Sequence, residues 1–314
     1  MRLMTPEETP PIYLAGPTAA GKSAVALQLA GRMGGEIISV DSMQVYRGLD
    51  LGTAKPSAEE RARVPHHLVD VVELTEPFHP AEFIRRAHEA AGQIRARGVV
   101  PIFCGGTGLY FRAYLEGLGD APASDARLRA TLEATPLDQL LHELEQADPA
   151  TFRQIDRQNP RRVVRAIEVI RLTGRPFSVQ RAAWGVEPAP RLFWLQREPA
   201  DLRARIEARV DDMFRRGLVE ETRRLLALGL EQNRTAMQAL GYRQVAGHLR
   251  GERSLAETIA LVKTKTWQFA RRQRTWFRRQ MQTQPIEVSP DEPAGRTVER
   301  LLAAAKESAV AHRR

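Results

Sequence analysis

The stretch Gly16-Pro17-Thr18-Ala19-Ala20-Gly21-Lys22-Ser23 fits the phosphate-loop pattern G-x-x-x-x-G-K-[ST] at every fixed position. Gly16 and Gly21 allow a tight turn whose backbone N–H groups point inward, a nest for anionic oxygens. The following helix adds the partial positive charge of its N-terminus. Lys22 can reach outer phosphate oxygens, and the Ser23 hydroxyl can take a Mg²⁺ ligand position. Nucleoside triphosphates are the default ligand of such a loop. Yet nothing between 16 and 23 demands a base.

Four further stretches carry chemistry-bearing side chains. Asp41 ends the run Ile38-Ser39-Val40 and would face the phosphate loop, either as a magnesium ligand, as a general base or as the cap of the next helix. Gly105-Gly106-Thr107 is a second glycine-rich strand end that permits close backbone approach and offers a hydroxyl. Arg161, Arg162 and Arg165 are neighbours on one helix, where a solvated face is the ordinary explanation. Arg205 and Arg209, one helical turn apart, are placed either to close over phosphate charge or to form surface ion pairs with Glu207, Asp211 and Asp212.

The segment 263–280 is less ordinary. It holds seven basic residues (Lys263, Lys265, Arg271, Arg272, Arg274, Arg278 and Arg279), no acid, and Trp267, Phe269, Trp276 and Phe277 between them. Cations in such a row neutralise phosphates. Aromatics at helical spacing belong more often to a core than to a stacking platform, so the arginines are assigned to nucleic-acid binding.

These groups need a scaffold that brings strand ends together. Short apolar runs at 12–15, 36–40, 68–72 and 99–104 alternate with helical patterns such as 80–97. That alternation predicts an α/β fold with a parallel sheet flanked by helices, ligands lying beyond the carboxyl ends of the strands. From 118 to 186 turn residues and helical patterns replace strands, which predicts a smaller helical insertion domain within a core of 1–117 and 187–314. A strand at 191–196, helices from Pro199 to about 280, a last strand at 285–288 and a helix at 295–311 complete the expected order.

Composition bounds the setting. With 314 residues, 43% hydrophobic, and no apolar run of membrane-spanning length, a soluble protein is expected. Met1 to Pro11 has no signal-peptide core, and one cysteine, Cys104, excludes an internal disulfide and a multi-cysteine zinc site. A cytoplasmic location follows as the expectation, with a monomer as the default. A formal charge of +9 suits a polyanionic partner.

Taken together, GPTAAGKS, DSMQVYRGLDLGTAKP, Pro65-His66, GGTGLYF, RRVVRAIE, RIEARVDDM, LGYRQ and RRQRTWFR resemble the tRNA dimethylallyltransferase (tRNA isopentenyltransferase) family over nearly the whole chain. The resemblance implies a core like that of the phosphate-loop NTPases. It also implies transfer of a dimethylallyl group from dimethylallyl diphosphate to N6 of the adenosine just 3′ of the anticodon, with diphosphate leaving. The loop that looks built for ATP is then expected to hold an isoprenoid diphosphate. By the same resemblance Lys22, Arg209 and Mg²⁺ on Ser23 stabilise the leaving group, Asp41 takes the N6 proton and Thr107 helps hold the base. The tRNA anticodon stem-loop is expected against Asp41, Ser42, Met43 and Gln44; Thr107; Arg161, Arg162, Val163, Val164 and Arg165; Gln238, Ala239, Leu240, Gly241, Tyr242 and Arg243; and Arg271, Arg272, Gln273, Arg274, Thr275, Trp276, Phe277 and Arg278. The alternatives are a small-molecule or nucleoside kinase using ATP, and a non-catalytic, nucleotide-gated RNA-binding protein. A kinase has no need of the basic row at 263–279.

Overall fold

Side chains alternate across strand β1 (Ile12–Ala15) between two buried faces, and both sets are apolar, as a central parallel strand requires. The computed structural model describes residues 10–180 and 191–311, with side chains through 307. The chain divides into two compact units, Met1–Leu115 with Glu187–Arg314, and Glu116–Val186.

In the first unit, a six-stranded parallel sheet runs in the order β3-β2-β4-β1-β5-β6. Its elements are β1, α1 (Lys22–Met33), β2 (Glu36–Val40), α2 (Ala58–Arg63), β3 (His66–His67), α3 (Pro80–Ala96), β4 (Pro101–Gly105) and α4 (Gly108–Glu116). The second unit holds α5 (Ala126–Ala134), α6 (Leu137–Ala147), α7 (Pro149–Gln154) and α8 (Pro160–Thr173). The first unit resumes with β5 (Leu192–Gln196), α9 (Pro199–Arg215), α10 (Leu218–Ala227), α11 (Tyr242–Leu249), α12 (Leu255–Gln280), β6 (Gln284–Glu287) and α13 (Ala294–Ala311).

One sheet face, with Ile12, Leu14, Ile37, Ile102, Phe193 and Leu195, packs against Val25 and Leu29 of α1 and Val298 and Leu301 of α13. The other face, with Tyr13, Ile38, Phe103 and Trp194, packs against Phe83 of α3, Phe111 of α4 and Phe277 of α12. A third cluster joins α9 to α12 through Leu202, Ile206, Val210, Val262 and Ala270, and it includes Ala19 of the phosphate loop. The loop is thus roofed by two long helices.

One strand expectation fails. Residues 68–72 do not form a strand; only His66 and His67 pair with β2, and Tyr46 bridges Val72. Leu68 and Asp70 adopt φ of 60° and 56°, left-handed values incompatible with a strand. The Asp70 carboxylate takes Lys55, whose side chain is 2% exposed, and Arg61. A short apolar run carries no sign of such an ion-pair anchor.

The second unit has its own core of Leu132, Leu140, Leu144, Val163, Val164, Ala166 and Ile167. Glu168, fully buried, accepts from Ser124, the Asp125 N–H and Arg165. Among the described residues no helix is long and apolar enough to cross a membrane.

Candidate active site

The phosphate loop joins β1 to α1 through backbone that side chains resist. Gly16 and Gly21 have φ of 153° and 97°, and Ala19 sits at 64°. Two arginines hold this path from α9 and the turn before it. Arg197 Nε donates to Ala20 O at 2.9 Å and Arg205 Nε to Ala19 O at 3.0 Å. Arg197 is buried, also binding Asp201 and the Ser289 and Pro290 carbonyls. Arg205 therefore shapes the loop from outside, and Arg209, one turn on, reaches the cavity.

That cavity, about 350 Å³, opens at the carboxyl ends of β1, β2 and β4. Thr18, Ala19, Gly21, Lys22 and Ser23 line it, while Gly16, Pro17 and Ala20 are buried behind them. Lys22 Nζ donates to Pro17 O at 2.7 Å. Burial pulls the Lys22 ammonium down to about 8; the Arg209 guanidinium pushes the same way, and the Cys104 and Asp41 side chains push against it. An anion bound here restores the lysine charge.

Asp41, half-buried, faces the same space. Its Oδ1 accepts the N–H groups of Met43 at 2.8 Å and Gln44 at 3.3 Å. So one oxygen caps a turn, and among the described residues no hydrogen bond engages Oδ2. Burial raises the carboxyl above the usual carboxylate range, against the Met43 and Gln44 N–H groups and the Lys22 and Lys55 charges, which stabilise its anion. A raised carboxyl is a better proton acceptor near neutral pH.

Thr107 follows β4. Its Oγ1 accepts from the Ser42 N–H at 3.1 Å, which leaves the hydroxyl proton to donate into the cavity. Ser42, Met43 and Gln44 line the wall beside it. Gln44 is locked by Ser39 and by the Thr53 and Ala54 carbonyls.

Magnesium fits by donor chemistry. Ser23, exposed at the first turn of α1, and the Asp41 carboxylate are hard oxygen donors in one cavity, and Mg²⁺ takes few protein oxygens beside phosphate and water.

The remaining sequence-derived site residues separate by burial. Gln238, Ala239 and Leu240 line the cavity, and Arg243 is exposed. Gly241 and Tyr242 are buried: the Tyr242 hydroxyl donates to Glu221 and accepts from the Gly52 N–H. Tyr242 is a packing residue here, not an exposed contact. Val163 and Val164 lie in the core of the second unit; of the arginines read with them, Arg161 and Arg162 are exposed, and Arg165 is tied to Glu168 and Pro122 O. On α12, Arg271, Arg272, Thr275, Arg278 and Arg279 are exposed and Arg274 is half-buried. Phe277 is buried against Phe111 and Trp194, and half-buried Trp276 lies on Gly108. Those two aromatics form core, as their helical spacing predicts. Gln273, read from sequence as a tRNA contact, is buried between two loops.

Sequence reasoning missed Arg197, Gln273 as a clamp, and the cavity-lining His66 and Cys104. No conspicuous motif surrounds Arg197, whereas His66 stands in the Pro65-His66 pair, Cys104 borders GGTGLYF and Gln273 lies within RRQRTWFR. The Cys104 thiol, pushed up to about 11 by burial, stays protonated and is no nucleophile.

A family profile described as IPP transferase matches residues 44–280. A tRNA dimethylallyltransferase of Trichlorobacter lovleyi is 46% identical over 274 residues, covering 85% of this chain and 90% of the relative. This chain belongs to the tRNA dimethylallyltransferase family. A Geobacter metallireducens dimethylallyltransferase is likewise 46% identical, with 87% and 91% covered. Among solved structures, the tRNA isopentenylpyrophosphate transferase of Bacillus halodurans aligns over 98% of this chain and 100% of its own, at 34% identity and a TM-score of 0.71. A eukaryotic dimethylallyltransferase described as acting on tRNA aligns at 27% identity and a TM-score of 0.74, over 92% of this chain and 77% of that one. The tRNA isopentenyltransferase fold has a core like that of the phosphate-loop NTPases, and the six-stranded parallel sheet flanked by helices matches it. tRNA is the substrate of the family.

The two titrating groups set a pH expectation. In this dimethylallyltransferase, kcat/KM for the prenyl donor should rise as Asp41 ionises and fall as free-enzyme Lys22 deprotonates near pH 8. At saturating anionic substrate the alkaline limb should move upward, because an anion bound at this loop would hold Lys22 charged. A kcat/KM profile flat from pH 7 to well above pH 8 defeats this assignment.

Proposed function

We propose that this chain transfers the dimethylallyl group of dimethylallyl diphosphate to N6 of the adenosine just 3′ of the anticodon of tRNA, releasing diphosphate. The observation that carries this reading is that one cavity joins the anion loop, with Lys22 and Arg209, to Asp41 and Thr107. Those are the two halves of an allylic displacement: a place for the leaving anion and a place for the attacking amine.

An allylic diphosphate ionises when charge on its leaving oxygen is neutralised. Lys22, Arg209 and the inward N–H groups of the loop do that in a partly desolvated space, where such donors act most strongly. Mg²⁺, held by Ser23 with Asp41 nearby, would neutralise further charge on the diphosphate. The exocyclic amine of adenine is a weak nucleophile, so holding it against the allylic carbon supplies much of the acceleration. As the N–C bond forms and the C–O bond breaks, the amine gains positive charge and Asp41 accepts its proton. Thr107 donates a hydrogen bond to the base, which must be extruded from the anticodon loop to reach it.

The walls suit this pair of ligands. Met213, Leu240, Val262 and Phe269 give apolar surface for an isoprenoid tail. Arg271, Arg272, Arg274, Arg278 and Arg279 have no ion-pair partner among the described residues, unlike Lys263, which pairs with Asp211. An unpaired cationic row suits phosphate backbone. The kinase alternative finds no support among the relatives.

The deciding assay incubates purified protein with unmodified tRNA and either dimethylallyl diphosphate or ATP. Depletion of the prenyl donor with a matching mass gain on tRNA is expected; consumption of ATP alone overturns the reading. A salt titration tests the cationic row. Arg271→Glu with Arg278→Glu should weaken tRNA binding and flatten the log Kd against log salt slope by about one to two units, with donor KM unchanged. An unchanged slope in a folded variant assigns this face to solvent alone.

A further inference from the structure

Gln273 has both ends of its side chain committed. It sits on α12 with 7% exposure, beside the buried Phe277 and opposite the exposed arginines. Its Oε1 accepts the Thr18 N–H at 2.9 Å, and its Nε2 donates to Gly106 O at 2.8 Å. Thr18 belongs to the anion loop after β1, and Gly106 to the loop after β4 that carries Thr107. One amide therefore spans the two loops that flank the cavity.

We propose that Gln273 is a positioning residue of the transfer reaction, setting the distance between the anion loop and the Thr107 loop. The proposal rests on the reading of that cavity as the prenyl-transfer site. Three observations support it. A Cβ on Gly106 would lie 2.4 Å from Gln273 Nε2 and 3.3 Å from Gly16 O, so the two strand ends and the amide meet with no gap for water. Thr107 in turn receives the Ser42 N–H, one residue from Asp41, so the spacing set at Gly106 passes to the base-holding side. Finally, the Thr18 N–H is spent on Gln273. The anion must then be gathered by N–H groups further along the loop, which places it toward Lys22.

The consequence is kinetic. In the proposed displacement adenine attacks the allylic carbon as the diphosphate bonded to it departs, and a misplacement of about 1 Å between the two costs on the order of a hundredfold in rate. Loss of Gln273 should thus lower kcat more than it changes the affinity for either substrate.

Three variants separate positioning from simple support. Gln273→Ala and the volume-keeping Gln273→Met are expected to lower kcat about tenfold to a hundredfold, with tRNA Kd and donor KM within about threefold of the parent. Gln273→Glu keeps the acceptor for Thr18 but sets a second oxygen against Gly106 O. Protonation returns the missing donor, so its kcat relative to the parent enzyme should climb as pH falls from about 8 to about 5.5. A residue that only supports the fold predicts no such acid rescue once folded fraction is matched by circular dichroism. The proposal is overturned by a Gln273→Met kcat within twofold of the parent, by a Gln273→Glu ratio flat with pH, or by losses confined to tRNA affinity. Lys22→Ala run in parallel identifies which idea has failed. If it removes turnover while the Gln273 variants are normal, only the positioning role falls; if it too turns over normally, the site assignment falls and this proposal with it.

Discussion

Asp41→Asn lowers single-turnover prenylation by about a hundredfold or more, while tRNA affinity stays within about threefold. Asparagine keeps the shape of the side chain and can still accept the Met43 and Gln44 N–H groups through its carbonyl oxygen. The turn that follows β2 therefore survives, and what disappears is the ability to take a proton. Burial has already moved this carboxyl upward, toward the range where a base is effective at neutral pH, so its loss is not made good by solvent. Rapid-quench measurement on enzyme saturated with tRNA and donor reads the chemical step directly. If the bound complex turns over at the parent rate and tRNA affinity collapses instead, Asp41 is a binding residue and the base lies elsewhere.

Lys22→Ala lowers kcat by about a hundredfold to a thousandfold and raises donor KM as well. The ammonium is half-buried, so its charge acts through protein rather than bulk water, and burial pulls it down to about 8. Part of its energy is released only as the diphosphate departs. Lys22→Arg restores little, because a planar guanidinium does not fit the compact place where Nζ reaches Pro17 O. Near-normal turnover by folded Lys22→Ala removes the anion role from this loop. Product release as inorganic diphosphate is the convenient readout, with tRNA binding by filter retention as the control.

The elements that place these groups were largely legible beforehand. The runs at 12–15 and 36–40 are strands with those limits, and 80–97 and 295–311 are helices to within a residue. They read correctly because strands buried on both faces show unbroken apolar runs, and amphipathic helices show a period of 3.6. The run at 68–72 read as a strand for the same reason and was wrong. There the deciding forces were a buried Lys55 and its Asp70 partner, contributed by a segment fifteen residues away.

Site residues divide along a similar line. Lys22, Ser23, Asp41 and Thr107 were found because each stands at a strand end or at the start of a helix, and parallel sheets gather such ends on one side. The segments expected from sequence to meet tRNA are unbroken blocks, and burial divides them. Val163, Val164, Tyr242 and Phe277 turn inward, whereas Arg161, Arg162, Arg243, Arg271 and Arg278 stay in solvent. A helix necessarily alternates between those two fates along its length.

The sequence alone determined the anion loop, the alternation that builds the parallel sheet and the unbalanced row of arginines on α12, since each is a local pattern of residue types. Only the tertiary structure decided which arginine reaches the cavity, and that Arg197 and Gln273 serve it at all. Arg205 and Arg209 are equal in the sequence. The packing of α9 over Ala19 turns the first to the loop's outer carbonyl and the second inward. Gln273 is separated from Thr18 by 255 residues and from Gly106 by 167, and it joins them only because α12 lies across the ends of β1 and β4. Contacts so distant in sequence leave no periodicity to read; they exist because burial of Phe277 and Val262 holds the helix there.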